Sequence, residues 1–100
     1  MTNPDGQFVS KYTEKDVQLY TEPWVTGTRA NCYFGNVSAT SFYRGDWEAT
    51  LRSAVQEVAL TTAKLGANAL VGVTITVDPF LNPPQVIIIG TATELVPMFS

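Results

Sequence analysis

Histidine is absent from this chain and cysteine occurs once, as Cys32. A disulfide within the chain and a self-contained zinc site of Cys and His ligands are therefore excluded. The missing imidazole also removes the commonest general base of enzymes. Charge is sparse: 15% of the 100 residues are charged, 9 acidic against 6 basic, for a net charge of -3. Proteins that grip nucleic-acid phosphates carry a basic surface, so DNA and RNA are not expected as partners. Long hydrophobic runs are also missing. The longest aliphatic one is Val86 to Ile89, far short of the roughly 20 residues that a membrane-spanning helix needs. Met1 to Ser10 is polar and holds Asn, Pro, Asp and Gly, with no basic segment leading into an apolar stretch. Residues 1–15 read as a flexible leader, and the chain reads as cytoplasmic. In that reducing compartment Cys32 is expected to be a buried or half-buried small hydrophobe.

What is present suffices for one compact domain, over residues 16–100: hydrophobic residues make up 45% of the chain. Trp47, Leu51, Ala54, Val55, Val58, Ala59 and Leu65 recur on one stripe at about 100° per residue, which predicts a helix from Trp47 to Leu65. Asp46 suits the N-cap, Glu48 and Lys64 complement the helix dipole at its two ends, and Gly66 suits the left-handed residue that follows a helix. The opposite face holds Ala49, Ser53, Gln56, Leu60 and Ala63, small or apolar where a surface helix usually carries charge.

Ala69 to Val77 alternates in the manner of a strand, with Val71, Val73, Ile75 and Val77 expected on one side. Asp78 to Pro84 breaks the chain with three prolines. Gln85 to Val96 resumes as a strand, and Gly90 within it marks a bulge or a close backbone contact. The two strands are expected to pair as an antiparallel hairpin. Val17 to Thr21 is strand-like up to Pro23, while Thr28 to Thr40 fits either a further strand or an irregular aromatic loop. Val17 to Thr21 and Thr91 to Val96 lack the lysines that guard sheet edges, and both are expected there.

Four segments, in order, carry a likeness. Val25-Thr26-Gly27, Tyr43-Arg44-Gly45 with Trp47-Glu48, Ala63 to Val73 (AKLGANALVGV) and Gly90-Thr91-Ala92 together resemble the YbjQ family of small bacterial proteins. That family is described as heavy-metal-binding and is otherwise of unknown function. The resemblance implies an α+β domain, one main helix packed on a curved antiparallel sheet. It also implies assembly into ring-shaped homo-oligomers, usually pentamers. Physically, Ala67 and Ala69 are small enough to pack the turn under a sheet, and Asn68 reads as a turn residue bonded to neighbouring backbone.

Candidate sites follow from the remaining chemistry. With no imidazole and one thiol, a soft-metal site could arise only if Cys32 from several subunits met on a symmetry axis, so no metal ligand or cofactor is assigned. The aromatic cluster Trp24, Tyr33, Phe34, Phe42, Tyr43 and Trp47 fits the filling of a core or interface. Alternatively, Trp24, Tyr33, Arg44 and Trp47 form a site for a planar ligand, by stacking and cation-π contact. Ala49, Ser53, Leu60 and Ala63 are the candidate contacts between subunits. No nucleophile has a base partner, and no glycine-rich phosphate loop occurs. The expected function is a non-enzymatic homo-oligomeric domain that binds a partner or a small ligand. Its alternatives are a structural subunit of a larger assembly and a metal-binding protein of the kind the resemblance names.

Overall fold

The computed structural model describes residues 11–98. It is an α+β domain whose elements run β1 (Gln18–Leu19), β2 (Thr28–Phe42), α1 (Trp47–Lys64), β3 (Ala69–Asp78) and β4 (Gln85–Pro97), with a 3-10 turn at Glu14–Asp16 ahead of them. Of the leader assigned to residues 1–15, residues 1–10 lie outside the described residues, and Lys11 and Tyr12 bond to Glu94 of β4.

Local chemistry explains why the helix lies where its pattern predicts. The Asp46 carboxylate accepts a hydrogen bond from the Glu48 backbone N–H at 2.9 Å, which satisfies one of the open donors of the first turn. Lys64 closes the last turn, and Gly66 follows at φ +94°. The buried line along α1 is Thr50, Ala54, Val58 and Thr62, joined near the C-terminus by Ala59 and Ala63. Two of these are threonines that hydropathy passes over. Each hydroxyl donates to its own helix, Thr50 to the Asp46 carbonyl at 2.8 Å and Thr62 to the Val58 carbonyl at 2.7 Å. Neither brings an unsatisfied polar atom into the core. Leu51 and Leu65, assigned by their spacing to the core stripe, lie on the flanks instead, 37% and 44% exposed.

The sheet has four strands in the order β1-β3-β4-β2. β3 and β4 form the expected antiparallel hairpin, and β2 pairs antiparallel with β4 along its length. β1 departs from the expectation of an antiparallel sheet. It runs parallel to β3 through Gln18 and Leu19, so the sheet is mixed. Parallel neighbours need a long crossover, which β2 and α1 supply between β1 and β3. The stretch 28–40 resolves as strand: β2 is fifteen residues long and irregular, with register shifts between Ala30 and Cys32 and between Tyr33 and Gly35. These bulges break the alternation of its first half and hide it from a period-two reading. Cys32, at the first of them, is exposed rather than buried.

A third bulge corrects the facing of β3. Val71 pairs with Thr91 and Thr74 with Ile89, so Gly72 and Val73 together oppose Gly90 alone. The extra residue puts Leu70 and Val73 on the same side, in the core under α1, and leaves Val71 on the opposite face. Gly90 is thus a close contact with the bulge across from it: a Cβ there would stand 2.6 Å from Leu70 Cγ. The sheet edges differ as well. Thr91 to Val96 belongs to β4, in the middle of the sheet, and the edges are β1 and β2. The core lies between α1 and the sheet, built from Val37, Ala39, Ala54, Val58, Leu70, Val73, Val86, Ile88 and Ala92.

Asn68 does more than close its own turn. Its side chain donates to the Leu95 carbonyl at 2.9 Å and accepts from the Leu95 N–H at 2.7 Å, acting as one extra rung of the sheet. Glu94 closes the same end. Buried on the helix side of β4, it accepts from Tyr12 Oη at 2.5 Å, Asn31 Nδ2 at 2.7 Å and Lys11 Nζ at 3.0 Å. Those donors, the Tyr12 hydroxyl foremost, then the Asn31 amide and the Lys11 ammonium, hold the carboxyl at about 2, below the ordinary 4.5. A carboxylate with a depressed pKa stabilises the fold fully above its unfolded value, and that contribution is lost as the pH falls through 4.5 towards 2. Glu94→Gln should therefore cost about 1–3 kcal/mol at neutral pH, because the amide turns a donor towards Lys11 or Tyr12. It should also flatten the acid limb of the stability curve over that window. Urea titrations at pH 7, 4 and 3 check both; equal losses at all three would remove Glu94 from the acid response.

Candidate functional site

One pole of the molecule concentrates apolar surface. β2 ends there at Phe42, α1 begins there, and the β3–β4 hairpin turns there. Phe42, Tyr43, Trp47, Leu51, Ile75, Val77, Phe80, Leu81 and Ile89 are all more than a third exposed, and Phe80 at the hairpin tip reaches 95%. Between the first half of α1 and the second half of β3 runs a groove of about 500 Å³ lined by Trp47, Glu48, Leu51, Ile75, Val77, Pro79 and Val86. It exists because α1 lies over β2 and β4 and barely reaches β3. A helix is about 10 Å wide and strands are about 4.8 Å apart, so one helix roofs two strands and leaves the third bare.

The groove holds one ionisable group, Glu48, which rims it and pairs outward with Arg52 at 3.3 Å. The Tyr43 and Trp47 rings stack at its upper end, 4.5 Å apart and tilted by 32°. Apart from the Glu48 carboxylate at its rim the lining is apolar, and what it offers is the covering of apolar surface.

The four ligand candidates are not brought together. Trp24 and Tyr33 share a shallow hollow of about 40 Å³ on the sheet face opposite α1, with Val71, Thr93 and Leu95. Trp47 stands in the groove on the helix side, and Arg44 is exposed on the connection between β2 and α1. Tyr33 and Phe42 are nine residues apart on β2, about 30 Å along a strand, so the two groups lie at opposite ends and on opposite faces. Of the interface candidates, Ala49, Ser53 and Leu60 share one flank of α1, and Leu60 is 43% exposed. Ala63 leaves the set: it is 2% exposed, packed with Val17 and Ala59 in the subunit's own interior. Sequence reasoning missed the groove because it put Leu51 in the core stripe of the helix and grouped Ile75 and Val77 with Val71 on one side of the strand. The signal that could have found it is arithmetic, one helix set against four strands.

Among the described residues, no group of three or more His, Cys, Asp or Glu could hold a metal ion, and no helix is long and apolar enough to cross a membrane. No family model matches the chain. No curated protein matches it either. A solved structure does: the crystal structure of a protein with unknown function from the DUF74 family of Pediococcus pentosaceus ATCC 25745. It aligns at 12% identity with a TM-score of 0.49, over 81% of this chain and 97% of that one.

Proposed function

We propose that the protein is a non-enzymatic binding module whose first partner is a second copy of itself, joined through the free edges of its sheet. The observation that carries this reading is the pair of unguarded edges. Beyond its two bulges, β2 offers a regular outer edge over residues 36–42 that contains no charged residue and no proline. On the other side, the paired backbone beside β3 ends at Val73, whose N–H donates to the Tyr20 carbonyl, and Thr74 to Asp78 pair with β4 alone among the described residues. Exposed edges of this kind take up another strand unless charge or a bulge blocks them.

The two edges differ, so pairing β2 of one copy with β3 of the next is head-to-tail, and a head-to-tail contact closes into a ring when the rotation permits. The pentamer implied by the YbjQ resemblance is the count we propose, with the cytoplasm as its compartment. Sedimentation equilibrium at micromolar concentration should give a discrete multiple of 10.9 kDa. Ser38→Lys with Thr40→Lys, two exposed positions on β2, should lower it towards the monomer without changing the far-UV spectrum. A wild-type monomer overturns the proposal. Open-ended growth would favour the structural-subunit reading instead.

A further inference from the structure

The loop 20–27 between β1 and β2 displays Trp24, 69% exposed, beside Tyr33 of β2, 67% exposed. Neither ring is used in the core. The loop is nevertheless pinned. Two successive N–H groups of the β3 bulge, Gly72 and Val73, donate to the Glu22 and Tyr20 carbonyls at 2.9 Å each. Thr28 donates twice to the Val25 carbonyl, from its N–H at 3.2 Å and from its hydroxyl at 2.8 Å, and the Met98 N–H donates to the Gly27 carbonyl at 3.0 Å. Side chains on a loop held this way are positioned before any ligand arrives, which lowers the ordering cost of binding.

Three hollows of about 360, 200 and 40 Å³ open around this loop, and they share walls. Trp24 and Val25 line the largest and the smallest, Tyr20 lines the two larger ones, and Thr28 and Leu95 line the two smaller ones. Their charge is of one sign. Glu22 lines the largest hollow and Asp16 the next, and no lysine or arginine lines any of the three. Asp16 is occupied by Thr13, whose N–H and hydroxyl both donate to it. Glu22 has no ionic partner among the described residues, where the ion pairs lie elsewhere, Lys11 with Glu94 and Arg52 with Glu48.

From this arrangement we infer that the loop 20–27 binds a small organic cation of the N-methylated ammonium class, its charge balanced by Glu22 and its methyl groups laid on the face of Trp24, with Tyr20 and Tyr33 as flanking walls. The chemistry of the lining selects that class. An anion finds no cation there to receive it. A metal ion needs several oxygen ligands, and one free carboxylate does not supply them. A primary ammonium is strongly hydrated, whereas a methylated one spreads its charge over apolar surface that the faces of indole and phenol rings attract. The site shares no residue with the groove beside α1, so it stands or falls apart from the assembly proposed above.

The test is a titration of the ¹⁵N-labelled chain with choline to about 20 mM at constant ionic strength, followed by NMR. The Trp24 indole N–H and the Val25 and Thr26 amides should shift saturably, while the Trp47 indole N–H stays in place. The carbon isostere 3,3-dimethylbutan-1-ol has the same shape without the charge and should bind more weakly. Glycine betaine and phosphocholine should also bind more weakly than choline, because their anionic groups meet no cation. Glu22→Gln and Trp24→Ala should each weaken choline about fivefold, the scale of one exposed ion pair or cation-π contact, with Trp24→Phe retaining more than Trp24→Ala. Both side chains are exposed, so the thermal transition of each variant should match the wild type. Four results overturn the inference: no saturable shift at Trp24, equal binding of choline and its carbon isostere, a response at Trp47 in place of Trp24, or phosphocholine binding tighter than choline, which would make a lipid headgroup the ligand.

Discussion

Val58→Asp should abolish the cooperative fold. Val58 is fully buried midway along α1, in one cluster with Val37, Leu70, Val86 and Ile88 from three strands. Its cluster is apolar, and the buried threonines on the same line of α1 already donate to helix carbonyls, so among the described core residues an aspartate there finds no charge partner. Burying an unpaired carboxylate costs several kcal/mol, against the roughly 5–15 kcal/mol that holds a domain together. Val58→Ala removes the same side chain without adding charge and should cost about 2 kcal/mol, with the transition still cooperative. Circular dichroism on heating distinguishes them; an unchanged midpoint for the aspartate variant would place Val58 outside the core.

Gly90→Ala should be the most damaging conservative change in the sheet. Its Cβ would stand 2.6 Å from Leu70 Cγ, 2.9 Å from Leu70 Cδ2 and 3.1 Å from Val73 Cγ2. Leu70 is fully buried and Val73 sits on the bulge, so neither yields without disturbing the core. Overpacking of this kind costs about 1–3 kcal/mol, and each kcal/mol lowers the midpoint of a domain this size by about 4–8 °C. Leu70→Ala alone should cost about 2–5 kcal/mol through the cavity it leaves. Because the new methyl occupies part of that cavity, the double variant should lose less than the sum of the two. Strict additivity would show that the residues do not touch.

Local chemistry made much of the fold legible. Asp46 and Gly66 mark the ends of α1 to within a residue, because capping is settled by the few residues at each terminus. The three prolines between Asp78 and Gln85 separate β3 from β4, since proline cannot continue a ladder. The strand bounds also came close, Ala69 to Val77 against Ala69–Asp78 and Gln85 to Val96 against Gln85–Pro97. Facing was another matter. A bulge inverts every side chain beyond it, so the single shift at Gly72 and Val73 decides that Ile75 and Val77 face the helix side of the sheet while Val71 does not.

The site was the least legible part, and the cause is long-range. Which strands are edges depends on the order β1-β3-β4-β2, and no local pattern in Thr91 to Val96 reveals that another strand lies on each side of it. Leu51 carries the periodicity of a core residue but stands on a flank, because α1 settles over β2 and β4. Composition and capping thus determined by themselves an α+β domain with one helix, since hydrophobic period and turn residues act over a few positions. The bulges, the burial of Thr50 and Thr62, the Glu94 cluster and the groove were decided only by the tertiary structure, because each depends on strands distant in the chain meeting in one register.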